Sequence, residues 1–181
     1  VPLRANLFES SGKLKTRLFD APDPTEELGI SSPELITLSA GNAEPLYGRI
    51  IRPSDFDPAK KYPALIYVYG GPHAQLVRNQ FLAAAPLWMY WLAEQGYIVA
   101  TVDNRGSANR GIAFEQATFR NLGSIEIEDQ KALIDYLKSQ TYVDGERMAV
   151  HEELHFQSSQ SARDFLKTPH GRPVGRAIDA D

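Results

Sequence analysis

An α/β fold is predicted by three observations. Two runs, Ala64–Tyr69 and Tyr97–Val102, are almost wholly apolar or aromatic, as suits strands buried on both faces of a parallel sheet. Helical patterns alternate with them, over residues 80–95 and over Ser124–Lys138. A third short apolar run, Met148–Val150, follows the second helix. Strand, helix, strand, helix, strand implies right-handed crossovers and a mostly parallel sheet with helices on both faces.

Each element has its own justification. Residues 1–33 are polar and turn-rich, with one short apolar stretch at Leu14, Leu18 and Phe19. Asp20 to Thr25 contains Pro22 and Pro24, which remove donors and fix φ, so it reads as a linker without regular structure. Leu35–Leu38 and Leu46–Ile51 read as two strands around the turn-prone Gly41-Asn42. Gly70-Gly71-Pro72 ends the first buried strand. Within residues 80–95, Pro86 kinks or splits the helix, and Gly96 is its natural stop. Asp103-Asn104-Arg105-Gly106-Ser107 is a loop after the second buried strand. In the second helix, Glu126, Glu128 and Asp129 fill the first turns and Lys138 the last, as the helix dipole favours. Leu133, Tyr136 and Leu137 give it an apolar face. Asp144-Gly145 is a turn before the third buried strand.

Composition excludes several classes. The chain has 181 residues, 43% hydrophobic and 23% charged, enough for a packed core and too apolar for wholesale disorder. No apolar run reaches the length of a membrane span. A net charge of −4 without a basic stripe argues against nucleic acid as a partner. With no cysteine there is neither a disulfide framework nor a thiolate metal site, and no cofactor is expected. The start Val1-Pro2-Leu3-Arg4 is not a signal peptide and lacks an initiator Met, so residue 1 is not expected to be the natural start.

Ligands of open α/β sheets bind beyond the carboxyl ends of the strands. Three such ends are visible: Tyr69-Gly70-Gly71-Pro72, the 103–107 loop, and His151. The paired glycines let backbone approach a ligand, and the Tyr69 hydroxyl is a neutral donor that could face a developing oxyanion. A tight turn beside a packed Tyr is the alternative on spacing alone.

Four segments together carry a resemblance. They are Lys61–Pro72, Gly96–Ser107, Arg120–Gly123 with Glu128-Asp129-Gln130, and Tyr142–His151. In order and spacing they resemble the start of the catalytic domain of the prolyl oligopeptidase family, most nearly its bacterial dipeptidyl peptidase IV branch. Residues 1–33 resemble the end of the β-propeller that precedes that domain. The resemblance implies a partial α/β-hydrolase fold, with residues 34–151 as its N-terminal part and 1–33 as a short propeller-derived segment. It implies a serine peptidase that removes N-terminal dipeptides with Pro or Ala second, through an acyl-enzyme. Peptides would by the same resemblance be the substrates, the whole enzyme could pair as a homodimer, and a periplasmic or secreted bacterial location follows by analogy. By the same resemblance Tyr69 donates its hydroxyl to the oxyanion, Gly70 and Gly71 shape the turn, and Arg105 is a structural anchor rather than a catalytic group.

The sequence also departs from that family. Where the nucleophile elbow Gly-x-Ser-x-Gly is due, His151 is followed by Glu152-Glu153-Leu154-His155-Phe156-Gln157-Ser158, and the motif occurs nowhere in the chain. Ser, Asp and His of the triad therefore have no place here. Ser158, Ser159 and Ser161 lack the elbow glycines, and His73, His155 and His170 read as loop or solvated residues. Residues 152–181 read as a divergent tail that a frameshift, a residual tag-cleavage sequence or genuine divergence would each explain. This chain alone is expected to be inactive. The other classes are a non-catalytic interaction protein that keeps half a hydrolase sheet, and another α/β-hydrolase such as an esterase.

Overall fold

The computed structural model describes residues 2–39 and 44–152. Residues 153–181 and the Gly41-Asn42 turn, and with them His155, Ser158, Ser159, Ser161 and His170, lie outside the described residues.

Among the described residues, seven strands form two sheets. The smaller is a hairpin of β1 (Arg4–Phe8) and β2 (Leu14–Asp20), antiparallel, with every residue exposed. Asp20 closes it by accepting from Arg4 Nε and Arg17 Nη1, each at 2.7 Å. This corrects the reading of residues 1–33 as turns around one apolar stretch. The linker is also shorter than expected. Asp20 belongs to β2, and Thr25 opens a short helix α1 (Thr25–Leu28), its N–H bonded to Asp23 Oδ1 at 3.0 Å. The two prolines constrain only the residues next to them.

The larger sheet holds β3 (Glu34–Ser39), β4 (Pro45–Ile51), β5 (Tyr62–Val68), β6 (Ile98–Val102) and β7 (Val143–Glu152), in the spatial order β3-β4-β6-β5-β7. β5 runs parallel to both β6 and β7, as the alternating strands and helices require. β3–β4 and β4–β6 are antiparallel. The expected mostly parallel sheet is therefore mixed, because the β3–β4 hairpin forms one edge and β4 pairs with β6 directly.

Helices cover both faces. Successive strand residues point to opposite sides. Ile98, Ala100 and Val102 pack with Leu133, Ile134 and Leu137 of α4 (Ile125–Ser139). Val99, Ile51 and Tyr67 pack on the other side with Met89, Tyr90 and Ala93 of α2 (Leu87–Glu94). Pro86 does split the first helical region. Ahead of it Phe81–Ala84 makes a single tight turn, in which Leu82, Ala83 and Ala84 all have positive φ; behind it α2 runs to Glu94, and Gly96, with φ of 86°, follows its end. A four-residue helix α3 (Ile112–Glu115) lies between β6 and α4.

β7 begins before the expected Met148. Asp144 still turns the chain: its carboxylate accepts from the Glu146 N–H at 3.1 Å and from Arg147 Nε at 2.6 Å. The turn is thus an irregularity inside the strand, where the register jumps between the pairs Tyr62–Val143 and Ala64–Met148.

Candidate active site

The carboxyl ends of β5, β6 and β7 meet on one side of the sheet, as parallel strands must. Tyr69 follows β5 directly and is half-buried, and its hydroxyl makes no hydrogen bond to another described residue. Gly70 has φ of 70°, and a Cβ there would stand 3.3 Å from Glu152 Oε1 at the end of β7. Burial raises the Glu152 carboxyl above its ordinary range. Gly71 is buried behind the turn. His151, paired with Tyr67 in the register, stacks on that ring at 5.8 Å, and Trp88 meets both rings edge-on at 5.6 Å.

The 103–107 loop is held to α4. Arg105 donates through Nε and Nη2 to Asp129 Oδ1 at 3.0 and 2.7 Å, and the Arg105 backbone N–H donates to Oδ2 at 2.7 Å. Asp129 is fully buried and its carboxylate raises the Arg105 guanidinium further. Asn104 and Ser107 are buried beside it, with Gln130 Nε2 donating to Asn104 Oδ1 at 3.0 Å. The two loops touch at the His73 N–H, which donates to Gly106 O at 3.0 Å. His73 itself is exposed, with positive φ, and its Nδ1 pairs with Glu115.

Sequence reasoning missed two residues beneath this surface. Arg49 on β4 is 1% exposed. Its Nη1 donates to Leu76 O at 2.5 Å and Ala83 O at 2.8 Å. Asp103, at the end of β6, is 4% exposed. Its carboxylate accepts from the Leu76 N–H at 2.7 Å and the Val77 N–H at 3.1 Å. Burial pushes the Asp103 carboxyl up to about 6, against the pull of those N–H groups and of Arg49 and Arg110. Burial lowers Arg49, opposed by Tyr90, Asp103 and Tyr67. Tyr90, pushed up to about 12 by its own burial, donates to Leu82 O at 2.9 Å. The one available signal was period: Arg49 shares a strand face with Ile51, two residues on, and Ile51 is core. Among the described residues no cluster of three or more His, Asp or Glu could hold a metal ion.

Residues 85–151 match the sequence model of the prolyl oligopeptidase family. Over that stretch the chain resembles a fragment of a protein of that family. It is 38% identical over 148 residues to mouse dipeptidyl peptidase 8, spanning 81% of this chain and 15% of that protein. Among solved structures it resembles a dipeptidyl aminopeptidase IV of Bacteroides ovatus, with a TM-score of 0.79 and 44% identity over 82% of this chain and 21% of that one. It also resembles Porphyromonas gingivalis dipeptidyl peptidase 4, with a TM-score of 0.71 and 33% identity, covering 83% of this chain and 22% of that one. The chain thus spans under a quarter of the length of these relatives.

Proposed function

We propose that residues 34–151 are the first part of the catalytic domain of a serine-type dipeptidyl peptidase, and that Tyr69 supplies one donor of its oxyanion hole. The whole enzyme would cleave N-terminal dipeptides with Pro or Ala second. The single observation carrying this reading is the Tyr69-Gly70-Gly71 turn. It sits at the carboxyl end of a buried parallel strand, with a half-buried phenol that has no described partner. A neutral hydroxyl held there can donate to an oxygen that becomes negative only in the tetrahedral intermediate. Gly70, with φ of 70°, lets the backbone turn directly after Tyr69. Arg105, tied to Asp129, anchors the neighbouring loop and takes no part in the chemistry.

Two experiments test this. In the uninterrupted enzyme, Tyr69→Phe should lower kcat by about 100- to 1,000-fold with little change in KM, the usual loss for one oxyanion donor. An unchanged kcat removes Tyr69 from the mechanism. The chain of 181 residues, which contains no Gly-x-Ser-x-Gly, should release no chromophore from a Gly-Pro anilide. Release that a fluorophosphonate blocks would overturn that expectation. The coding DNA across codons 145–181, read in three frames, tests the origin of the tail: a frame encoding the elbow makes it an artefact.

A second reading, a non-catalytic interaction protein, draws on one observation. β7 is an edge strand that pairs with β5 alone among the described residues, and an open edge invites a partner. A monodisperse dimer in light scattering would favour it, and aggregation would favour the enzyme fragment.

A further inference from the structure

The segment from Tyr69 to Ala85 contains one tight turn of left-handed residues and no other regular structure. Its buried backbone groups must be satisfied from outside. Leu76 receives both kinds of partner at once: its N–H donates to Asp103 and its carbonyl accepts from Arg49. Arg49 reaches on to the Ala83 carbonyl, and Asp103 also takes the Val77 N–H. The two charges come from different strands, β4 and the end of β6, and they share one peptide of the loop between them. Upstream of Leu76 the loop is fixed by β5 up to Val68 and by the His73–Gly106 bond. Tyr69-Gly70-Gly71 therefore lies between a strand and a buried clamp.

We infer that Arg49 and Asp103 are positioning residues for the Tyr69 hydroxyl: together they grip Leu76 and so fix the turn that aims the phenol. The inference rests on the oxyanion reading of Tyr69 for its purpose, and on the hydrogen bonds of Leu76, Val77 and Ala83 for its substance. Neither residue touches the site surface. Both act through the backbone of residues 70–84. Burial makes the grip strong, since a charge-assisted hydrogen bond in a dry interior is stronger than the same bond in water.

The test uses the 181-residue chain labelled with 3-fluorotyrosine and followed by fluorine NMR, the Tyr69 signal being assigned with Tyr69→Phe. Arg49→Met and Asp103→Ala should each split or broaden the Tyr69 signal. Tyr62 and Tyr142, packed on Phe56 in the cluster on the other face, should keep theirs. Asp103→Asn keeps an acceptor oxygen and should keep the Tyr69 signal single. A Tyr69 signal unmoved in Arg49→Met and Asp103→Ala, with Tyr62 and Tyr142 intact, overturns the inference. Should those variants lose every signal, the wild-type amides decide. The clamp requires Leu76 and Val77 to exchange at least about tenfold more slowly than Arg78 and Asn79, from the strength of hydrogen bonds to charged groups. Equal rates overturn it. None of these readouts needs catalysis. If Tyr69→Phe left the whole enzyme active, the oxyanion reading would fail while the clamp stood.

Discussion

Arg49 and Arg105 hold the loops that leave two neighbouring parallel strands, and they do so by opposite means. Arg105 meets the carboxylate of Asp129 on α4 in a two-pronged ion pair. Arg49 is more deeply buried, yet its hydrogen bonds go to two carbonyls, a thioether and a hydroxyl; the nearest opposite charge, Asp103, is joined to it through Leu76. An ion pair fixes one side chain against another. An arginine among carbonyls fixes a length of backbone, which is what an irregular loop after β5 needs. The difference teaches that the β6 loop is held by its own residue, whereas the β5 loop is held by residues from elsewhere in the sheet.

That contrast can be broken by mutation. Arg49→Ala should be the most damaging change, costing about 3–5 kcal/mol, because it removes the first of the two arginines that favour the buried Asp103 carboxylate and strips the Leu76 and Ala83 carbonyls of their donor. Urea unfolding followed by tryptophan fluorescence measures it. A loss under about 1 kcal/mol would mean that water replaces the guanidinium and that the loop needs no clamp.

Asp103 gives the next largest effect, through pH. Its carboxyl titrates near 6 in the folded chain, against 3.8 for an ordinary Asp. The folded protein therefore holds this proton more tightly than the unfolded chain. The stabilising contribution of protonation is complete below about pH 4 and is lost as pH rises through about 6. The difference should be on the order of 2–3 kcal/mol. Asp103→Asn should abolish it. Unfolding free energies of the two proteins, compared between pH 4.5 and 7.5, give the answer; parallel pH profiles would remove Asp103 as a buried anion.

Arg105→Ala should cost less, about 2 kcal/mol, since the Asp129 carboxylate keeps the Arg105 backbone N–H as a partner. Arg105→Lys should recover under half of that, because an ammonium cannot reproduce the two-pronged fork. Full recovery with Lys would show that charge alone, not geometry, holds the β6 loop.

The same contrast explains what could be read in advance. β5 and β6 were legible because both of their faces are covered, so the strands carry unbroken apolar runs. α4 was legible because its acidic start, basic end and apolar face agree. The β1–β2 hairpin was not, because each of its residues is exposed and no burial pattern marks it. The antiparallel β4–β6 pairing was hidden because strand order is a tertiary choice that the order of elements along the chain leaves open. Tyr69 and Arg105 stand in motif runs, so the chain itself drew attention to them. Arg49 stands in no motif run, and Asp103, though in the same run as Arg105, gives no sign of its role: the loop groups that the two grip are backbone atoms 26 to 34 residues away, which have no side-chain signature.

The smallest expected effect concerns Gly70. Its φ of 70° is strained for any L side chain, so Gly70→Ala should cost about 1 kcal/mol from backbone conformation. A Cβ at this position would also press on Glu152 Oε1 at 3.3 Å, the tip of a side chain that can yield by a few tenths of an ångström. The two contributions separate in a double-mutant cycle with Glu152→Ala. If conformation dominates, Gly70→Ala costs the same in both backgrounds, and the turn after β5 needs glycine for its own shape. If the cost disappears without Glu152, the glycine serves the approach of β7 instead. The turn would then depend on the residue that follows His151, the position at which the sequence departs from the family it resembles.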